Sequence, residues 1–366
     1  MRILVSTFRT TLLLLLACSM AVTAQNKHKI ELILPADLSS LEQSEAQLKD
    51  LFNFNFFPEK VYAPIFALDS AKRGNMKYTN RMADSLCKAD LARRTEASKD
   101  FVRQLVQALK VKNSFHYPFD SLSHRGLSVI NAPDNSFRII TWALPQFKYS
   151  GTYTYEYFGA IQMNNPDLQL FGLKDKSAEM GSAEMQTCTA DNWFGALYYG
   201  ITQNVWADTT YYTLFGWDGH NDRSTKKLAD VLYFRDGQPI FGAPIFEVVK
   251  DGKMAVKKRF VLEFKEGAVV TLNYNPEQQK IVFDSLISED EENTDRKVGG
   301  KKKKSSGGNE FTLVPEGQYC GLEFTEGVWH YLPTVLRSSM ATAPVVSPKL
   351  GKGRGGGIKP PKKKKK

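Results

Sequence analysis

The sequence predicts an α+β protein in which an N-terminal helical segment packs on an antiparallel β-meander domain, either a sandwich or an open barrel-like arrangement. Three observations carry this reading. Between residues 37 and 112 apolar residues recur at helical spacing, and from about Val129 the period drops to two. The later strands are joined by turns too short to hold a crossover helix, which disfavours parallel βαβ units.

The helical segment occupies residues 25–115. Ser39-x-x-Glu42 has the form of a capping box, in which two side chains satisfy each other's orphan backbone N–H groups. Leu41, Leu48, Leu51 and Phe52 mark one face of the helix it opens, and Pro58 and Pro64 bracket a break. A longer helix is expected from about Thr79 to Lys112. Phe101, Leu105 and Leu109 form one i, i+4 row and Val102 and Val106 its neighbour, while Arg93, Arg94, Glu96, Lys99, Asp100 and Arg103 fill much of the rest.

The β domain occupies residues 116–340. Strands are expected over 137–144, 153–162 and 168–173, then over 197–205 and 211–217 around Ala207-Asp208. Asp236-Gly237 and Asp251-Gly252 are strong hairpin signals. Alternation resumes at Phe260, Leu262 and Phe264 and, after a Glu266-Gly267 turn, at Val270, Leu272 and Tyr274. A last hairpin joins 319–324 to 328–332 across Glu326-Gly327. Residues 286–309, acidic first and lysine-rich later, read as a charged loop between strands.

Both ends differ from this body. Arg2 and Arg9, the apolar run Leu12 to Leu16 and the small-residue exit Val22-Thr23-Ala24 have the order of a secretory signal peptide, and the run is too short to span a bilayer. Export is therefore expected, to the periplasm, the outer membrane or beyond, with no transmembrane span. Leu15-Leu16-Ala17-Cys18 also resembles a lipobox, so acylation of Cys18 is the alternative to cleavage after Ala24. Residues 341–366 form a low-complexity basic tail.

The formal charge of +10 belongs to these ends. With the nine Lys and Arg of 349–366 and the two Arg of the first 24 residues set aside, 38 bases face 39 acids. A neutral body lacks the basic patch of a nucleic-acid-binding domain, so no specific nucleic-acid binding is expected. The tail, Lys362, Lys363 and Lys364 included, suits an anionic envelope surface such as lipopolysaccharide or lipid. A solubilising end is the plainer alternative.

Cys87, Cys188 and Cys320 lie outside the signal and allow at most one internal disulfide; Cys188–Cys320 is the pair both of whose members fall in the β region. No CxxC, HExxH, GxSxG, SxxK or Walker-type loop occurs, and no metal or cofactor is implied. The densest polar run is Trp217-Asp218-Gly219-His220-Asn221-Asp222 at a strand end. If the protein is an enzyme, Asp218, His220 and Asp222 are its candidate catalytic residues; a connection whose side chains bond their own backbone is the other reading. Aromatics are the richer signal. Tyr198, Tyr212 and Trp217 are candidate binding residues on a partly exposed sheet face, and the same rings serve equally as cross-strand pairs.

The stretches Ser136–Pro145, Tyr157–Gln162, Trp193–Tyr199, Tyr212–Gly219 and Phe241-Gly-Ala-Pro-Ile-Phe246 resemble a group of secreted proteins of Bacteroidota over roughly residues 115–335. The resemblance implies the exported compartment and a single β module, and brings no catalytic residues with it. The expectation is thus an exported, non-enzymatic envelope protein that binds an envelope component or a partner protein. The alternatives are a hydrolase of an envelope or extracellular polymer and a lipoprotein subunit of an outer-membrane assembly.

Overall fold

The computed structural model describes residues 32–55, 76–148, 152–165, 167–250, 253–289 and 313–335. Helix α1 is Pro35–Leu51 and α2 is Met76–Leu109. Neither is apolar enough to cross a membrane, and no other described helix is. Pro35, not the Ser39 box, starts α1: proline at the first helical position has its ring already at a helical φ and lacks the N–H that would be left unpaired. Ser39 and Glu42 therefore lie inside the helix. Leu41 and Leu48 turn inward as expected.

Strands β1 (Ser128–Asn131), β2 (Phe137–Phe147), β3 (Tyr153–Met163) and β4 (Leu170–Lys174) form the first sheet, antiparallel throughout. Alternation along β2 assigns its two faces. Ile140, Trp142 and Leu144 meet the helices through Phe52, Phe54, Phe101 and Leu105, while Phe137, Ile139 and Ala143 face a second sheet. Two arginines fasten the helical layer to this sheet. Arg94 of α2, on the polar side by sequence, is buried and donates to the carbonyls of Phe54 and Pro145, each at 2.8 Å. Arg138 of β2 donates to Gln162 and to the carbonyls of Tyr117 and Ser114.

The second sheet begins with β5 (Cys188–Thr189), β6 (Leu197–Trp206), β7 (Thr209–Asp218), β8 (Ser224–Arg235) and β9 (Gln238–Phe241). At Phe241 the chain leaves this sheet. Gly242 turns it away at φ +86, with no room for a Cβ, which would lie 2.6 Å from the Gln186 carbonyl oxygen. Strands β10 (Phe246–Lys250) and β11 (Lys253–Lys257) then form a hairpin in a third sheet, and β12 (Arg259–Lys265) returns to β8. In register, β9 pairs with β8 from Arg235 to Leu232 and β12 continues the same edge from Asp230 to Ser224. β9 and β12 are thus one strand interrupted opposite Val231, and the interruption supplies two strands to the next layer.

That layer is completed by β13 (Leu272–Asn275), β14 (Lys280–Ser288), β15 (Leu313–Thr325) and β16 (Val328–Leu332), in the order β11-β10-β16-β15-β14-β13. A third apolar cluster joins it to the second sheet through Phe215, Val231 and Phe260 on one side and Phe246, Phe283, Leu322 and Trp329 on the other. Each fully buried ring or branched side chain of this kind contributes about 1.5–3 kcal/mol.

Two expectations are corrected. The strands are not all antiparallel, because β10 lies parallel to β16, a long-range pairing that the strand interruption makes possible. The Glu266-Gly267 turn forms, with Gly267 at φ +84, but it is no hairpin: β12 pairs with β8 and β13 with β14. The Asp251-Gly252 turn lies outside the described residues, between strands that do pair.

Candidate functional site

The Trp217–Asp222 run sits where β7 ends. Asp218 is 5% exposed, and its Oδ1 accepts from the Tyr157 hydroxyl at 2.9 Å and from the His220 backbone N–H at 2.7 Å. The Tyr157 oxygen in turn accepts the Gly219 N–H at 2.8 Å. His220 is held at φ +44 by this turn, and Gly219 fits because a Cβ there would lie 2.3 Å from the Tyr155 ring. Burial pushes the Asp218 carboxyl up, against the pull of Lys226 and of its hydrogen bonds.

The His220 ring joins residues from two other strands. Lys226 Nζ of β8 lies 3.1 Å from Nδ1, and Glu263 Oε1 of β12 lies 3.6 Å from Nε2. An ammonium can only donate, so Nδ1 is the acceptor and the ring proton sits on Nε2, toward Glu263. Burial first, and Lys226 second, push the imidazole pKa below its ordinary value. Ser224 donates to Glu263 at 2.6 Å, and Lys226 closes the ring of charges at 3.7 Å.

His220, Lys226 and Glu263 line a cleft of about 870 Å³ between the second and third sheets. Val261 and Leu262 of β12 line one wall, the segment Ser177–Met185 another, and Phe283, Leu286, Leu313 and Tyr331 of the third sheet an apolar floor. Glu184 anchors the segment, with Lys257 Nζ at 2.6 Å. Lys257–Glu184 and Lys226–Glu263 are thus ion pairs along the cleft, while Asp284, also in the lining, accepts the Thr271 N–H.

The structure brings together two of the three residues proposed from sequence. Asp218 and His220 share the turn, but Asp222 is exposed and outside the charge ring. No triad assembles from 218, 220 and 222, because Asp218 meets the backbone of His220 rather than its ring and is closed off from water. Lys226, Glu263, Ser224 and Tyr157 were not legible as site residues. The β8–β12 register, which sets Lys226 directly opposite Glu263, unites the first three, and Tyr157 joins from the first sheet through Asp218.

The aromatic proposal is corrected. Tyr198 is 0% and Tyr212 5% exposed, so both are core residues and neither forms a binding face. Tyr198 lies between Trp193, which donates to its hydroxyl at 2.9 Å, and Asp230, to which it donates at 3.2 Å. Tyr212 donates to Asp134 at 2.7 Å. Trp217 is half-buried, edge-on to Tyr155. Lys362, Lys363, Lys364 and Cys18 lie outside the described residues.

The Cys188–Cys320 pairing is also overturned. Cys188 and Cys320 are both free thiols and both buried. Cys188 sits in the core between the first two sheets, near Met180 and Arg259, while Cys320 lies in the third sheet beside the Tyr331 hydroxyl. Two different cores hold them. Among the described residues no group of three or more His, Cys, Asp or Glu is placed to hold a metal ion.

No protein-family model, curated protein or solved structure matches the chain.

Proposed function

We propose that the protein is an exported, non-enzymatic envelope protein whose β body holds a partner in the cleft between the second and third sheets. The cleft carries the reading: about 870 Å³ with apolar side chains on its floor and the Lys257–Glu184 and Lys226–Glu263 ion pairs on its walls suits binding. Signal-like residues 1–24 and the resemblance to secreted Bacteroidota proteins support export. The basic tail adds electrostatic attachment to an anionic surface. The stack of sheets reads as a layered sandwich rather than an open barrel-like arrangement.

A photo-crosslinking residue at Leu286 or Leu313, introduced in the exporting cell, tests this. One discrete partner captured from both floor positions, and not from exposed Val205, is expected; capture from none of them, or equally from all three, overturns the cleft as the binding site. Removing residues 349–366 is expected to leave the fold intact and to weaken retention on anionic membranes at low salt. The Ala17-Cys18 pair favours a second, tethered reading, which the mass of the mature N-terminus decides.

A further inference from the structure

The outer edge of β12 deepens the proposed binding role. In an antiparallel pair each residue points its N–H and C=O to one side, alternating along the strand. Glu266 N–H reaches the Arg223 carbonyl, which assigns the even positions of β12 to β8. Val261, Glu263 and Lys265 therefore direct their main-chain groups away from it. Glu184 confirms the assignment independently: its carboxylate, not a strand, takes the Val261 N–H at 3.3 Å.

Upstream, the same edge is occupied. β5 pairs with β9 there, and Glu184 main-chain oxygen accepts from Lys258 at 2.8 Å. Past Glu184 the cover stops. Among the described residues nothing meets the Val261 C=O, the N–H and C=O of Glu263, or the Lys265 N–H. Val261 and Glu263 line the cleft, whose apolar floor stands beside them.

We propose that this edge is a strand-addition site for an extended segment of a partner protein, a reading that rests on the cleft being the binding site. Main-chain hydrogen bonds to Val261–Lys265 would align the segment, displacing only the Glu184 side chain, and every second side chain would settle on Phe283, Leu286 and Leu313. Because the wall lysines are paired as Lys257–Glu184 and Lys226–Glu263 while Asp284 adds a carboxylate to the lining, the site favours a segment without acidic residues and with alternating apolar ones.

The test pans a displayed library of short linear peptides on the full chain and compares winners on variants. Val261→Pro and Glu263→Pro each remove one outward N–H while sparing the β8 ladder. Enriched sequences are expected to alternate apolar residues, to lose about tenfold in affinity on either variant that keeps the native circular dichroism, and to gain on Glu184→Ala. Bound peptide should also slow amide exchange at Val261 and Glu263. No enrichment, or winners indifferent to all three substitutions and leaving those amides unprotected, overturns strand addition. So does a dimer that Val261→Pro abolishes, which would assign the edge to a second copy. Crosslinking from Leu286 and Leu313 that persists in these cases leaves the binding role standing and removes only its mode.

Discussion

The β8–β12 ladder carries two cross-strand ion pairs, Asp230 with Arg259 and Lys226 with Glu263, four residues apart along β8. The inner pair is 0% exposed on both sides. Arg259 Nε lies 2.9 Å from Asp230 Oδ1, yet its direction makes the contact ionic rather than a hydrogen bond. Tyr198 and the Val231 N–H also bond the carboxylate, and Arg259 donates to the Ala183 carbonyl and lies over the Phe194 ring. The outer pair is longer, at 3.7 Å, and keeps some exposure to solvent. One ladder thus holds a charge pair that the fold cannot release and another that a ligand can reach. The inner pair sits where β9 ends and β12 begins, and plugs the gap between them.

The sharpest test breaks the inner pair. Asp230→Ala leaves the Arg259 charge buried and should cost about 3–5 kcal/mol in urea unfolding. Replacing both, as Asp230→Leu with Arg259→Met, should recover most of that loss, because the penalty belongs to the widowed charge. A single substitution costing no more than one at the outer pair would erase the distinction.

Lys227 sharpens the comparison, since it is a buried charge on the same strand with no carboxylate within ion-pair distance among the described residues. Its ammonium lies over the Tyr199 ring at 5.3 Å, and burial pushes its pKa down to about 8 against the pull of Asp284. A base whose pKa is lowered by folding makes the native state weaker wherever it stays protonated. Lys227→Met should therefore stabilise the protein by about 2 kcal/mol at pH 7. The gain should shrink from pH 8 to 10.5, where the folded lysine is neutral and the unfolded one is not. A gain that is flat with pH would remove the electrostatic account.

At the outer pair the effects are smallest. Glu263→Gln should change stability by less than about 1 kcal/mol. The lowered pKa of His220 means that its contribution is intact above the unfolded value near 6.5 and is lost as pH falls through the lower folded value. His220→Asn, which tolerates the positive φ, should flatten that part of a melting-temperature profile between pH 7 and 5. An unchanged slope would place the titration elsewhere.

Strand positions were legible wherever apolar and aromatic residues alternate or run on without a break, as at β3, β16 and β2. Partner choice was not. The Glu266-Gly267 turn is a genuine turn, but its flanking strands pair with β8 and β14, and nothing local to the turn specifies that. The tyrosines misled for a related reason. Adjacent rings such as Tyr198-Tyr199 imply one exposed face only if the sheet is covered on one side, and the second sheet is covered on both. Asp218 and His220 were visible because they are neighbours in sequence. Glu263 reaches them from a strand more than forty positions onward, and the lysines of β8 mask that strand's periodicity.

The interruption of one edge strand has a consequence for how the molecule comes apart. The third sheet is stitched to the second at both ends of the β10–β11 excursion, through Gly242 on one side and Arg259 on the other. Peeling it away would tear β12 from β8 and expose the buried charges at that seam. The two layers should therefore melt as one cooperative unit, and the third sheet should have no independent existence as a fragment.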